Sequence, residues 1–411
     1  MSLFSSHTLT RRGLFKAGAA TGIAAASVNV LAGCTNTSDD SSSSEPVIVD
    51  TDEANYVIDP NTNESLFSSV DMPLTESSTY SISLGCVLRP GEGTWLPATL
   101  VGATTTPAIQ GAAFSAKSGY LATVVAKTVT ENDPNVVIYD VACSDSVYAW
   151  VEMDLLSKSW SLYASSFANG SLTGSTSTLW EADSDWDPPR LTATGNKIVW
   201  QVMPSTSGSK TSEHSFCYLW KAGDSDATAV VESPGRFATG PEVSDGTVTL
   251  VPRVNESQGV YYGITAYSLD DDFSTIVDRL VLPQSVEPLY AVRIGDKFAF
   301  SIEATYSSGG LLATMGTYIG TSEGDFVVLS REPYAEISGK GNIYIVKSRS
   351  SYFVIDTDNQ QYSTLAAANR AVDYGDFPAR DGVCDSFVTF ATVKDIDTGY
   401  PSAVQVRTFN L

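Results

Sequence analysis

Short apolar runs separated by turn residues recur along the chain at a nearly constant interval. In 185–202, read as DWDPPRLTATGNKIVWQV, a proline-led connector enters a strand at 190–194. Gly195-Asn196 marks a turn, and an apolar strand leaves at 198–202. The phrase returns as GPEVSDGTVTLVPRV at 240–254, EPLYAVRIGDKFAFSIEA at 287–304 and YAEISGKGNIYIV at 334–346. Strand interiors are rich in Val, Ile, Tyr, Phe and Thr, Gly-Asp or Asp-Gly pairs mark the turns, and no segment carries a helical period. Reference points at 189, 241, 288, 334 and 378 are spaced by 52, 47, 46 and 44 residues. A four-stranded unit repeating at that interval predicts an all-β protein built of propeller blades.

First strands fall at 81–88, 138–144, 189–194, 241–244, 288–294, 334–338 and 377–383. That spacing predicts seven four-stranded blades, or six if 80–131 is an elaboration of the chain's start. The last copy supplies three strands (377–383, 386–393, 403–411). An open sheet edge is costly, so an N-terminal strand at 47–58 is expected to pair with 403–411 and close the ring. The polar stretch 61–78 reads as a surface loop. The pattern over about 80–411 resembles TolB-like and WD-repeat-like propellers, without the His and Trp-Asp signatures of the latter. That resemblance implies architecture and carries no activity with it.

Charge narrows the choice of partners. The formal net charge is −23 over 411 residues. The first 33 residues carry Arg11, Arg12 and Lys16 and no acid, so a chain lacking them stands at −26. A field of that sign repels nucleic acid and anionic headgroups.

The N-terminal segment reads as an address. Thr10-Arg11-Arg12-Gly13-Leu14-Phe15-Lys16 resembles the twin-arginine export signal, and the Ala- and Gly-rich run 17–32 is too short and weakly apolar for a membrane span. Leu31-Ala32-Gly33-Cys34 resembles the lipobox of bacterial lipoproteins. The two resemblances imply a signal peptide at 1–33, export of a folded chain, and diacylglyceryl attachment at Cys34. Residues 34–45 follow as a flexible lipid-anchored spacer, and 46–411 as the propeller. The expected location is the outer side of the bacterial cytoplasmic membrane, as a monomer.

Candidate chemistry is sparse. With His7 in the leader, only His214 remains, which excludes His-rich zinc sites. Connectors between blades converge on one mouth of a propeller's channel. They bring Trp186, Asp187, Arg190, Arg236, Glu242, Glu287, Glu332, Tyr334, Tyr374, Asp376 and Arg380 toward one end. Arginines there suit a carboxylate, and Trp186 a sugar ring or aromatic side chain. The bland reading is a rim of ion pairs. Clustered acids at 183–187, 356–359 and 395–399 lack a complete calcium loop and read as turn chemistry. Cys86, Cys143, Cys217 and Cys384 suggest no disulfide framework and read as small buried hydrophobes. No metal or cofactor is expected, and no catalytic motif stands out. The leading expectation is a scaffold binding a protein, peptide or glycan. A carboxylate-dependent, glycosidase-like hydrolase and an accessory subunit of an envelope enzyme are the alternatives.

Overall fold

The computed structural model describes residues 45–101, 109–130, 133–254, 259–307, 309–349, 351–367 and 375–411. The export signal, Cys34, most of the spacer and Tyr374 lie outside the described residues. Apart from two short 3-10 turns at Thr51–Glu53 and Gly310–Ala313, the regular structure of the described residues is all strand.

Among the described residues the strands form seven sheets. Six are blades made of consecutive strands, spanning 86–125 (blade 1), 136–182 (blade 2), 191–233 (blade 3), 242–281 (blade 4), 290–329 (blade 5) and 338–366 (blade 6). The seventh sheet is composite. Asp376–Pro378, Ser386–Lys394 and Pro401–Asn410 come from one end of the chain, and Thr75–Ile82 from the other. Six blades match the alternative count of six rather than the expected seven, although 86–125, which that alternative set aside, is one of them; the seventh sheet is assembled across the closure.

Each repeated sequence phrase is the inner hairpin of a blade. Leu191–Thr194 pairs with Lys197–Val202, Glu242–Ser244 with Thr247–Leu250, Tyr290–Ile294 with Lys297–Ile302, and Ser338–Lys340 with Ile343–Ser348. These second strands read as apolar runs rather than alternating ones because blades cover both of their faces. Val147–Asp154, for instance, is buried along all but its last residue. Seven apolar layers fill the seven junctions between sheets. Tryptophans serve them: Trp150 stacks on Tyr163 at 5.6 Å and Trp200 on Tyr218 at 5.6 Å.

Ring closure uses a different strand from the one expected. Thr75–Ile82 runs antiparallel to Pro401–Asn410, with Tyr80 opposite Val406 and Ile82 opposite Val404. Its first half falls in the stretch 61–78 expected as a surface loop, because one face of the strand meets solvent and leaves few apolar residues to signal it. Gly85, at φ +85°, turns the chain between Ile82 and Cys86, so the expected single strand 81–88 is split between two sheets.

Residues 47–70 instead run along the outer edges of blades 4, 5 and 6. The Val47 amide donates to Val281 O (2.9 Å), the Leu311 amide donates to Val49 O (2.9 Å), and Asn55–Tyr56 adds in parallel to the outer strand of blade 5. Ser68–Ser69 does the same on blade 6. The N-terminal segment is therefore a belt across four successive sheets.

Candidate functional site: the central channel

In a ring of up-and-down blades, connectors gather at one mouth and inner hairpins at the other. Here one segment crosses between. After Asp376–Pro378 the chain turns inward instead of folding straight into the next strand. Gly382–Val383 pairs in parallel with Ser338–Lys340 of blade 6, the Cys384 amide donates to Gly339 O (3.0 Å), and the Val383 amide donates to Ser244 Oγ of blade 4 (3.0 Å). Gly382 sits at φ +58°, and a Cβ there would lie 2.9 Å from the Ser244 Cβ, so only glycine fits. Residues 381–384 thereby floor the channel.

Above that floor lie two adjoining chambers. One, of about 360 Å³, opens at the connector mouth and is lined by Arg190, Glu242, Glu287, Glu303, Tyr306 and Glu336. The deeper one, of about 270 Å³, shares Arg190, Glu242 and Glu336 and adds Arg89, Asp140 and Asp381. Together they present six carboxyl groups to two guanidiniums, and Asp140 already pairs with Arg89 at 3.3 Å.

Depth decides the charge state. Burial, and then the neighbouring Asp381, push the Glu242 carboxyl well above the usual carboxylate range, and burial raises Asp381 and Glu336 as well. Glu242 and Asp381 are neighbouring buried carboxyls whose titrations are linked, so ionising both at once is costly. A carboxyl whose folded pKa is raised favours folding least at high pH. Its stabilising share is complete below about pH 4, the unfolded value, and is lost as pH rises through the folded value. Asp381→Asn is therefore expected to raise the melting temperature by roughly 2 °C or more at pH 7.5. That gain should shrink toward zero below about pH 4 in a thermal-shift titration.

The expected site residues separate into three groups. Arg190, Glu242 and Glu287 line the mouth chamber, where Arg190 Nη1 donates to Ala238 O (2.8 Å). Trp186, Asp187 and Arg236 form a rim cluster beside it. Arg236 pairs with Asp187 at 2.7 Å and donates to Pro204 O, while Lys210 lies 5.2 Å over the Trp186 ring. Arg380 and Asp376 are structural. Arg380 is 7% exposed and donates to the Gly91 (2.7 Å) and Glu92 carbonyls of blade 1's inner hairpin, away from the connector mouth, and the buried Asp376 accepts from Arg407. Three arginines at one mouth were expected, and the structure leaves Arg190 there with Arg236 committed to its neighbour. Tyr334 stacks on Phe377 at 6.3 Å, and Glu332 pairs with Arg349 at 2.6 Å.

Sequence reasoning missed Arg89, Asp140, Glu303, Glu336 and Asp381. A signal existed for Glu336, which stands two residues before an inner strand (Ser338–Lys340), close to where Arg190 and Glu242 stand on theirs. Asp381 carried none, because no repeat copy announces the inward crossing.

The remaining candidates are accounted for locally. Asp356 and Asp395 accept backbone amides two and three residues on, as Asx turns do, and Asp185 accepts from Ser209. Among the described residues no group of His, Cys, Asp and Glu is arranged to hold a metal ion. Cys86, Cys143, Cys217 and Cys384 are separate buried thiols, and burial pushes Cys86 and Cys384 up to about 12. His214 Nδ1 meets Glu232 at 2.6 Å on the surface.

No protein-family model matches the chain, and no curated protein does. Solved structures do. The β-propeller domain of the Trilobed protease from Pyrococcus furiosus is 9% identical, with a TM-score of 0.47 and coverage of 77% of this chain and 90% of that one. TolB from Acinetobacter baumannii is 10% identical, with a TM-score of 0.38 and coverage of 69% and 64%. The Pyrococcus horikoshii acylaminoacyl peptidase is 11% identical, with a TM-score of 0.41, and the match covers 63% of this chain and only 43% of that longer protein. The fold is a β-propeller.

Proposed function

We propose that the protein is a lipoprotein exported by the twin-arginine route, tethered through Cys34 on the outer side of the cytoplasmic membrane, whose propeller binds a basic segment of a protein or peptide. The observation that carries the binding role is the acidic channel, closed below by residues 381–384 and open at the connector mouth. Groups from blades 1 to 6 meet there, and a cation entering it replaces lost hydration with nearby carboxylates.

Address and binding are tested separately. Cys34→Ala is expected to release the protein from the membrane fraction, and Arg11→Lys with Arg12→Lys to hold it in the cytoplasm. Membrane retention of the Cys34→Ala form overturns the anchor. For binding, a photo-crosslinking residue at Glu287 is expected to capture a partner in intact cells that the same residue at Thr228, on the outer strand of blade 3, does not. Capture should fall in Glu242→Gln/Glu336→Gln. Adducts formed equally from both positions and in the double variant place the partner elsewhere.

A further inference from the structure

A third cavity, of about 320 Å³, opens off the deeper acidic chamber between the composite sheet and blade 1. Its walls are of a different kind. Val87, Leu88, Phe377 and Phe390 form the slot, and Arg89 with Glu336 stand at the end it shares with the channel. Val87 is 42% exposed and both phenylalanines are only partly buried, so the apolar wall is open to an incoming group. Glu336 lines all three cavities. Arg89, paired with Asp140 at 3.3 Å, and Lys347 both favour the ionised form of Glu336 against its burial.

An apolar slot entered past carboxylates presents two unlike environments side by side. A cation gains in one and a large apolar side chain in the other, and no single small ion uses both. Resting on the reading of the acidic channel as a binding site, we infer that the channel recognises a peptide segment in which a large apolar residue adjoins a basic one. The apolar side chain fills the slot between Val87 and Phe390, and the basic one lies against Glu336 and the Glu242–Asp381 pair. Charge complementarity favours this occupant: an acidic peptide would have to pass six carboxyl groups to reach the slot.

The test uses the full chain purified in detergent and three acetylated, amidated dodecapeptides on a Gly-Ser background. They carry Arg-Phe, Arg-Ser or Glu-Phe at the centre, and binding is measured by calorimetric titration. The Arg-Phe peptide is expected to bind at least ten-fold more tightly than either other peptide. Val87→Asp, at a surface-exposed position, should erase the Arg-Phe advantage over Arg-Ser, and Glu336→Gln should weaken both arginine peptides. Equal affinity of Arg-Phe and Arg-Ser overturns the slot while leaving the acidic channel as a binding site. Failure of both arginine peptides to bind, with no response to Glu336→Gln, overturns the slot and the binding reading together.

Discussion

Thr79→Pro with Tyr80→Pro is expected to open the ring. These residues lie in the strand that closes it, opposite Arg407 and Val406. Neighbouring positions of an antiparallel pair alternate between bonded and free amides, so one of the two prolines must delete a ladder hydrogen bond and both distort the strand. Tyr80 also packs edge-on against Phe114 of blade 1, 5.8 Å between centroids, so its loss loosens the junction between the composite sheet and blade 1. The exposed edge at Pro401–Asn410 would then be free to pair with another molecule. Destabilisation should exceed about 4 kcal/mol, a large share of the 5–15 kcal/mol typical of a folded protein. Denaturant titration with size-exclusion chromatography should show an early transition and oligomers. The control Thr79→Val/Tyr80→Phe should stay monomeric. A double-proline variant that is monomeric and melts with the wild type would show that closure lies elsewhere.

The second large effect concerns Lys347, buried on the second strand of blade 6. Its ammonium lies 3.9 Å over the Phe377 ring and 5.1 Å over Tyr334, and donates to Asp376 O. Burial lowers its pKa to about 8, against the pull of Asp376 and Glu336. For a lysine the sign is that the unfolded chain binds more protons between the folded value and the unfolded one near 10.4, so stability gains with pH across that window. Wild type minus Lys347→Met should therefore rise by about 3 kcal/mol between pH 7.5 and 10.5. Taking the difference matters, because buried thiols such as Cys86 and Cys384 lose stability over the same range in both proteins. A flat difference would mean that Lys347 titrates normally.

Legibility differed by scale. The blades were readable because each inner hairpin repeats a turn such as Gly195-Asn196 or Gly295-Asp296 between apolar strands, and local turn chemistry leaves a local trace. The closing strand was misassigned because an edge with a wet face looks like loop. Position along the chain brought Arg190, Glu242 and Glu287 to the lining of one cavity. It failed for Arg380 because a residue past an inner strand serves the opposite end of the channel. Asp381 was invisible because its partner Glu242 is 139 residues away and belongs to another blade.

The belt and the composite sheet also set a timetable. Thr75–Ile82 is made early, yet its partner Pro401–Asn410 follows more than 300 residues later. At ribosomal rates of about 5–20 residues per second, that gap lasts some tens of seconds. Throughout it, Ile82 and Tyr80 lack their composite sheet, and the edges at 55–56 and 68–69 wait for blades 5 and 6. Contacts of such high sequence separation slow the last step further. An export route that accepts only finished chains tolerates that interval, whereas threading an unfolded chain would postpone closure until after crossing.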